Sequence, residues 1–373
     1  MDFIDLKAQQ RRIRPQLDAA IARVLDHGGY IMGAEVKEFE KQLAAFGGAK
    51  LALSCANGTD AVVLPLMGWD IGPGDAVFCP SFTFAATAEV VPWVGATPVF
   101  VDIDPDTYNM SPAKLEAAIV ETQAAGKLAP KVVIAVDLFG QPADYPAISA
   151  ICKKYDLKLI SDSAQGFGCT IDGKHPLHWA DATATSFFPA KPLGCYGDGG
   201  AVLTNDEELW KRMDSFRVHG KGTDKYDNVR IGMNSRLDTL QAAILIEKLA
   251  IFGEEIELRN KVAARYNERL ANAVKVPQVI AGGVSTWAQY TIEHKDRDGL
   301  IAHLKDKGVP TAVYYPKPLH QQTAYKDFPV AGGTLPASDD VGTRVLSLPM
   351  HPYLDQATQD VVIAAIHDFA GKS

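Results

Sequence analysis

The sequence has few cysteines, no long apolar run and no excess of basic residues, and each absence excludes a class of protein. Its 373 residues include five cysteines, an odd number scattered along the chain without a C-x-x-C pair. A disulfide framework or a metal site is therefore not expected, and reduced thiols fit a cytoplasmic protein. The apolar runs fall far short of the roughly 20 residues that a membrane helix needs. The charged N-terminal stretch has no signal-type apolar core.

The charge balance argues against a nucleic-acid partner. Lysine and arginine number 37 against 45 acidic residues, which gives a net charge of −8, and no basic block stands out. Nucleic-acid-binding domains usually carry a basic patch. We expect no nucleic-acid or membrane partner, and an anionic small-molecule substrate would need a local cationic site.

Short apolar runs alternate with helical patterns along most of the chain. Runs that predict strands occur at 51–56, 75–84, 130–140 and 157–164. This alternation predicts an α/β fold with a mostly parallel sheet between helices. Because the length exceeds what a single core usually supports, we predict a large domain over 1–250 and a smaller α/β domain over 251–373. A long helical pattern between them is interrupted near Gly253.

The stretch SCANGTDA, residues 54–61, joins a predicted strand to a predicted helix. Backbone N–H groups at a helix start, with Gly58 allowing close approach and the Thr59 hydroxyl beside it, are typical of a phosphate site. The stretch also fits a simple helix cap with Thr59 as the capping residue.

Asp162 ends the apolar strand in LKLISDSAQGFG. Open α/β sheets place their ligand crevice at this end of their strands, and a carboxylate at that depth needs a cation or several donors. A structural acid that caps the following turn is the alternative.

Lys191 lies in the strip TSFFPAKPLGCYGDGG, among aromatic and small residues, with Ser186 five residues earlier. Desolvation lowers the pKa of a lysine and favours the nucleophilic neutral amine. The alternative is a lysine whose stem covers apolar surface while its tip reaches water.

Three further residues have ordinary explanations when taken singly. Phe84 follows a strand, where an aromatic is usually core, and Asn234 and Arg236 precede a helix, where a cap and a surface charge are common. Taken together, a phosphate site, an aromatic, a strand-end aspartate and a loop lysine are the parts that pyridoxal phosphate requires.

With these motifs in place, the chain resembles the sugar aminotransferases of the DegT/DnrJ/EryC/StrS family. The resemblance runs from FIDLKAQQ to SLPMHPYL and is carried by CANGTDA, SDSAQGFG, TSFFPAKPLGCYGDGGAVLTND and NSRLDTLQAAIL. It implies the type I fold of pyridoxal-phosphate enzymes and a homodimer with shared active sites. Within the family, the chain is most similar to the branch that aminates UDP-2-acetamido-2-deoxy-3-oxo-glucuronate with glutamate during O-antigen biosynthesis. Another UDP- or dTDP-linked 3- or 4-keto sugar remains the alternative substrate.

The resemblance also implies roles for ten residues. Lys191 falls on the lysine that binds the cofactor aldehyde and Asp162 on the partner of the pyridine nitrogen. Phe84 falls on the ring-stacking aromatic and Gln165 on a contact to the ring region. The remaining positions are phosphate ligands, one of them from the neighbouring subunit, and substrate contacts: Gly58, Thr59, Ser186 and Asn234 for the phosphate, Arg236 and Tyr315 for the substrate.

The chain departs from the family pattern at three positions. Tyr314 replaces a common histidine, Ser163 replaces a common alanine, and Pro65 lies inside a helix that usually has none. These changes bear on the substrate more than on transamination. A nucleotide-sugar oxidoreductase would need a G-x-G-x-x-G turn after the first strand, which is missing. A non-catalytic regulator on the same fold would usually carry a DNA-binding domain and a basic patch.

Overall fold

A seven-stranded sheet lies at the centre of the computed structural model, which describes residues 1–224 and 226–371. Over these residues the strands are β1 Leu51–Cys55, β2 Asp75–Pro80, β3 Thr97–Val101, β4 Ala129–Val136, β5 Lys158–Asp162, β6 Thr170–Ile171, β7 Ala182–Ser186, β8 Gly200–Thr204, β9 Gly283–Val284, β10 Tyr290–Glu293 and β11 Val345–Leu348. The helices are α1 Leu6–Arg12, α2 Arg14–His27, α3 Ala34–Phe46, α4 Gly58–Gly68, α5 Ala86–Trp93, α6 Pro112–Ala125, α7 Tyr145–Lys154, α8 Glu207–Phe216, α9 Thr239–Leu270, α10 Arg297–Asp306, α11 Pro336–Arg344 and α12 Gln356–Ala370.

The order of the central sheet is β1-β8-β7-β5-β4-β2-β3. Strands β7, β5, β4, β2 and β3 pair in parallel, whereas β8 runs antiparallel to both of its neighbours, β1 and β7. Most residues of these strands are buried without alternation, as expected for a sheet covered by helices on both faces. The predicted α/β fold with a mostly parallel sheet is confirmed.

Side-chain caps fix the starts of several helices that cover the sheet. The side chains of Asn57, Ser111 and Asp144 each accept a hydrogen bond from the backbone N–H three residues on. Such caps satisfy backbone donors that would otherwise lack a partner. Helix α4 runs through Pro65 and ends at Gly68, so this proline does not end the helix.

A second, smaller unit packs against the sheet domain. It contains the antiparallel pair β10–β11, the helices α10 and α12, and the C-terminal half of α9, which share one buried apolar cluster. The predicted interruption near Gly253 is wrong, because α9 is continuous from Thr239 to Leu270. The predicted domain boundary at 250 falls inside this helix, and the division into 1–250 and 251–373 stays a prediction.

Three properties of the described residues bear on function. None of their helices is both long and apolar enough to cross a membrane. They contain no group of three or more His, Cys, Asp or Glu side chains that could hold a metal ion. The five cysteines are all buried, and no disulfide joins them in the described part of the chain.

Candidate active site

The start of α4 meets the end of β7 at a point of close backbone approach. A Cβ atom built on Gly58 would lie 2.5 Å from the Cβ and 2.9 Å from the Oγ of Ser186. The Asn57 side chain caps the helix by accepting from the Asp60 N–H at 2.8 Å, and Thr59 lies half-buried in the first turn. The structure therefore brings Gly58, Thr59 and Ser186 together, with a helix N-terminus and two hydroxyls that suit an anion.

Asp162 lies buried at the carboxyl end of β5. Its Oδ2 accepts from the Thr87 hydroxyl at 2.8 Å and its Oδ1 from the Ala164 N–H at 3.2 Å. Burial raises the pKa of this carboxyl, and the two hydrogen bonds and the positive charge of Lys191 oppose that rise. A cation placed against Asp162 would stabilise its ionised form further.

Lys191 belongs to the loop that joins β7 to β8, where its N–H donates to the Phe188 carbonyl at 2.8 Å. Burial lowers the pKa of the Lys191 amine, and the negative charge of Asp162 acts in the opposite direction. The two side chains are thus close enough for each charge to act on the other. A desolvated amine near a carboxylate is the arrangement expected of a lysine that attacks an aldehyde.

An amide and two aromatic rings lie beside this pair. The Gln165 Oε1 accepts from the Phe139 N–H at 2.7 Å, and its Nε2 donates to the Tyr315 hydroxyl at 3.0 Å. The Phe84 ring centroid lies 6.3 Å from that of Tyr315, yet 56% of Phe84 remains exposed. An exposed ring beside buried polar groups offers a face on which a planar ligand can stack.

Asn234 and Arg236 flank a buried serine rather than entering this group. The Ser235 hydroxyl accepts from the Ala56 N–H at 3.2 Å, which places the segment beside the start of α4. Asn234 is exposed and Arg236 is half-buried. The predicted contacts of these two residues, one of them across a subunit interface, stay predictions.

The sequence interpretation missed a second buried carboxylate. Asp137 follows β4 directly, and its oxygens accept from the Ala143 N–H at 3.1 Å, the Tyr145 hydroxyl at 2.7 Å and the Ser161 hydroxyl at 3.3 Å. The Ser163 hydroxyl also donates to it. The signal was present, because Asp137 ends the apolar run KVVIAVD just as Asp162 ends KLISD.

The residues present fit pyridoxal phosphate. The α4 start and Ser186 suit its phosphate, the exposed Phe84 face suits its ring, and the Lys191 amine suits its aldehyde. Asp162 is a buried carboxylate whose two hydrogen bonds come from neutral donors, so that a pyridinium nitrogen would supply a charged donor in direct contact with it.

Comparisons with known proteins agree with this fit. The model of the DegT/DnrJ/EryC1/StrS aminotransferase family matches residues 11–367. The chain is 50% identical over 98% of its length, and 99% of the relative's, to the UDP-2-acetamido-2-deoxy-3-oxo-D-glucuronate aminotransferase of Pseudomonas aeruginosa. A crystal structure of a DegT/DnrJ/EryC1/StrS aminotransferase from Brucella abortus matches all of both chains with a TM-score of 0.98 and 57% identity.

A further solved structure holds the cofactor. The pyridoxal-phosphate form of the putative sugar aminotransferase Spr1654 from Streptococcus pneumoniae covers 96% of each chain with a TM-score of 0.87 and 26% identity.

Proposed function

This chain belongs to the DegT/DnrJ/EryC1/StrS aminotransferase family and is a pyridoxal-phosphate-dependent enzyme, and we propose that it moves the amino group of L-glutamate to a nucleotide-linked keto sugar. The observation that carries this proposal is that Asp162 and Ser186 end the neighbouring parallel strands β5 and β7, with Lys191 on the loop after β7 and Gly58 in contact with Ser186. That arrangement fits the two ends of one cofactor ring and its phosphate.

The bound cofactor supplies an electron sink for charge that develops at the carbon atom bearing the nitrogen. Lys191 holds the cofactor between turnovers and, once free, moves a proton to or from that carbon atom. Asp162 keeps the ring nitrogen protonated. Because Asp162 is buried, water does not screen the attraction between its carboxylate and the ring nitrogen. Gln165 and Phe84 orient the ring, while Gly58, Thr59, Ser186 and a partner's copy of Asn234 bind the phosphate.

The best-supported substrate is UDP-2-acetamido-2-deoxy-3-oxo-D-glucuronate, which would give the 3-amino sugar. The support is the relative that carries this name and matches 98% of the chain at 50% identity. A uronate on a nucleotide adds one more negative charge, and Arg236 is the cation proposed to meet it, with Tyr315 as a second substrate contact. Another UDP- or dTDP-linked 3- or 4-keto sugar is the alternative.

A homodimer with shared active sites goes with this assignment, since Asn234 is exposed on its own chain. Exposed apolar side chains at Tyr30, Ile31 and Phe188 are available to a second copy. We place the enzyme in the cytoplasm, in the synthesis of an O-antigen sugar.

The proposal is tested by incubating the purified protein with pyridoxal phosphate, glutamate and a panel of UDP- and dTDP-linked 3- and 4-keto sugars. Mass spectrometry of the products then identifies the aminated sugar. Amination of the UDP-linked 3-oxo-glucuronate supports the proposed substrate. A 4-amino product alone would overturn the substrate but keep the enzyme class, whereas no amination of any sugar would favour a regulator built on this fold.

A further inference from the structure

The side chains of Asp137 and Asp162 lie on opposite faces of the central sheet, at the point where the neighbouring strands β4 and β5 end. In the β4–β5 register Val136 pairs with Asp162, and side chains alternate along a strand, so Asp137, Ser161 and Ser163 share the face opposite to Asp162. The Asp137 N–H donates to the Asp162 carbonyl at 3.0 Å. The two carboxylates are thus joined through one backbone hydrogen bond.

The hydrogen bonds of Asp137 bracket Asp162 along the chain. Its Oδ2 accepts from the hydroxyls of both Ser161 and Ser163, the residues immediately before and after Asp162. These two hydroxyls also contact each other at 2.8 Å. The Asp137 carboxylate therefore fixes the residues on both sides of Asp162, from the opposite face of the sheet.

The space around Asp137 is closed on every side. Asp137 is fully buried, and a Cβ atom on Gly166 would lie 2.2 Å from the Asp137 Cβ. The titratable groups that face it are the Tyr145 hydroxyl from α7, the Cys169 thiol and Asp162 itself. The largest effects on its charge come from burial, from the hydrogen bonds of Ser163, Tyr145 and Ala143, and from the Asp162 charge.

Burial raises the pKa of Asp137 to about 6. The negative charge of Asp162 also raises it, whereas the hydrogen bonds to the carboxylate lower it. At pH 8 the carboxyl is therefore mostly ionised. A negative charge in a water-excluded region acts strongly on a cation nearby.

We propose that Asp137 is a positioning residue that acts through Asp162, so that its negative charge strengthens the hold of the site on the protonated cofactor ring. This inference rests on the proposed function. Asp137 fixes the direction of the Asp162 carboxylate through Ser161 and Ser163, and it adds a second negative charge behind the first.

The test is a spectroscopic pH titration of the protein loaded with pyridoxal phosphate. In Asp137→Asn the shape of the side chain is kept and the charge is lost, so the pH midpoint of the bound cofactor's visible absorption should fall by about half a unit or more. Asp102→Asn is the matched control. Asp102 is also a buried carboxylate at the end of a strand, where it accepts from the Ser338 N–H at 2.9 Å, and its loss should leave the midpoint unchanged.

Ser163→Ala provides a second variant that keeps the Asp137 charge. It removes one of the two hydroxyls through which Asp137 holds the main chain beside Asp162, so the midpoint should fall in the same direction by less. If Asp137→Asn does not fold, Ser163→Ala decides the matter on its own.

The outcomes separate this inference from the proposed function. A midpoint in Asp137→Asn, or in Ser163→Ala where only that variant folds, equal to that of the unchanged protein would overturn the role of Asp137 alone. A protein that shows no cofactor absorption at all, before any substitution, would overturn the proposed function instead.

Discussion

The α-carbon of Gly58 lies so close to Ser186 that a side chain at position 58 would overlap the serine, with 2.5 Å between the two Cβ atoms. Ser186 ends β7, and its partner across the β7–β8 register is Gly200. A Cβ atom on Gly200 would in turn lie 2.3 Å from the Asn57 carbonyl oxygen. The helix start, the strand end and the returning strand thus meet where positions 58 and 200 have no room for a side chain.

The first prediction concerns this contact. Gly58→Ala should push the start of α4 away from Ser186 and reduce the affinity for pyridoxal phosphate by about 10-fold or more, because misplaced N–H groups lose their hydrogen bonds to the phosphate. The measurement is a titration of the cofactor-free protein with pyridoxal phosphate, followed by its absorption.

Gly253→Ala is the control for that variant. Gly253 lies in α9 with no atom within 4 Å of a Cβ built on it. Alanine there should leave cofactor affinity unchanged and stabilise the protein by up to ~1 kcal/mol, since alanine has the higher helix propensity. Equal affinities in the two variants would show that the Gly58–Ser186 contact does not form the phosphate site.

Lys191→Ala should abolish transamination and the covalent attachment of the cofactor. Borohydride reduction of the loaded protein followed by peptide mass analysis should place the cofactor on the Lys191 peptide in the unchanged protein and nowhere in the variant. Lys211→Ala, which removes an exposed lysine paired with Glu207 and Glu208, should behave like the unchanged protein. Label retained at another lysine with full turnover would contradict the assignment of Lys191.

Tyr315→Phe should release the Gln165 amide. Its Nε2 would lose its 3.0 Å acceptor while its Oε1 stays fixed to the Phe139 N–H, and an amide donor without its partner costs ~1 kcal/mol. We expect kcat/KM for the keto sugar to fall about 5-fold. Tyr155→Phe removes a comparable hydroxyl, which donates to Glu116 at 3.1 Å between the end of α7 and α6, and should leave kcat/KM unchanged. Equal rates in both variants would exclude a role for the Tyr315 hydroxyl.

Lys248 gives a prediction about pH and stability. Its buried amine donates to the Gly194 carbonyl at 2.6 Å, in the loop that carries Lys191, and lies 4.2 Å from the Tyr196 ring centroid. Burial lowers its pKa from 10.5 to about 8. Below pH 8 both the folded and the unfolded chain carry the charge, and the cost of burying it is fully present. Between pH 8 and about 10.4 the folded chain binds fewer protons, so stability rises with pH.

Urea unfolding of the unchanged protein and of Lys248→Met at pH 7, 8, 9 and 10 measures this effect. The free energy of unfolding of the unchanged protein should rise relative to that of the variant above pH 8, by something on the order of 2–3 kcal/mol at the upper end. Lys211→Met, at an exposed position, should show no such divergence. Parallel pH profiles for Lys248→Met and the unchanged protein would mean that the amine is not desolvated in solution.

The fold was predictable because its physical signal is local. Apolar runs such as KVVIAV and LKLIS lack alternation, which is what a strand covered on both faces requires. The strand order and the reversed direction of β8 have no such local signal, since they follow from which helices cover which face. The interruption expected near Gly253 failed for a related reason: a glycine weakens an isolated helix, but the buried face of α9 holds it together through residues such as Phe252 and Ile256.

The sequence indicates the residues proposed to contact the cofactor, but not the buried residues that hold them in place. Lys191 and Asp162 stand out because a charged residue inside an apolar strip is unusual. Asp137 carries the same signal and was missed because a strand-end aspartate is ambiguous until its partners are known. Lys248 has no signal in the sequence, because its position in α9 reads as a surface lysine and only the packing of the Lys191 loop buries it.

The pairing of Leu51 with Thr204 makes the contact between the start of α4 and the end of β7 depend on β8, which lies between β1 and β7. On the ribosome, the segment that begins α4 emerges long before β7 and β8, and closing so large a loop has an entropic cost that only the completed strand pairing offsets. A nascent chain that stops short of residue 204 lacks a complete β8, so translation must pass that point before the start of α4 and the end of β7 are held together.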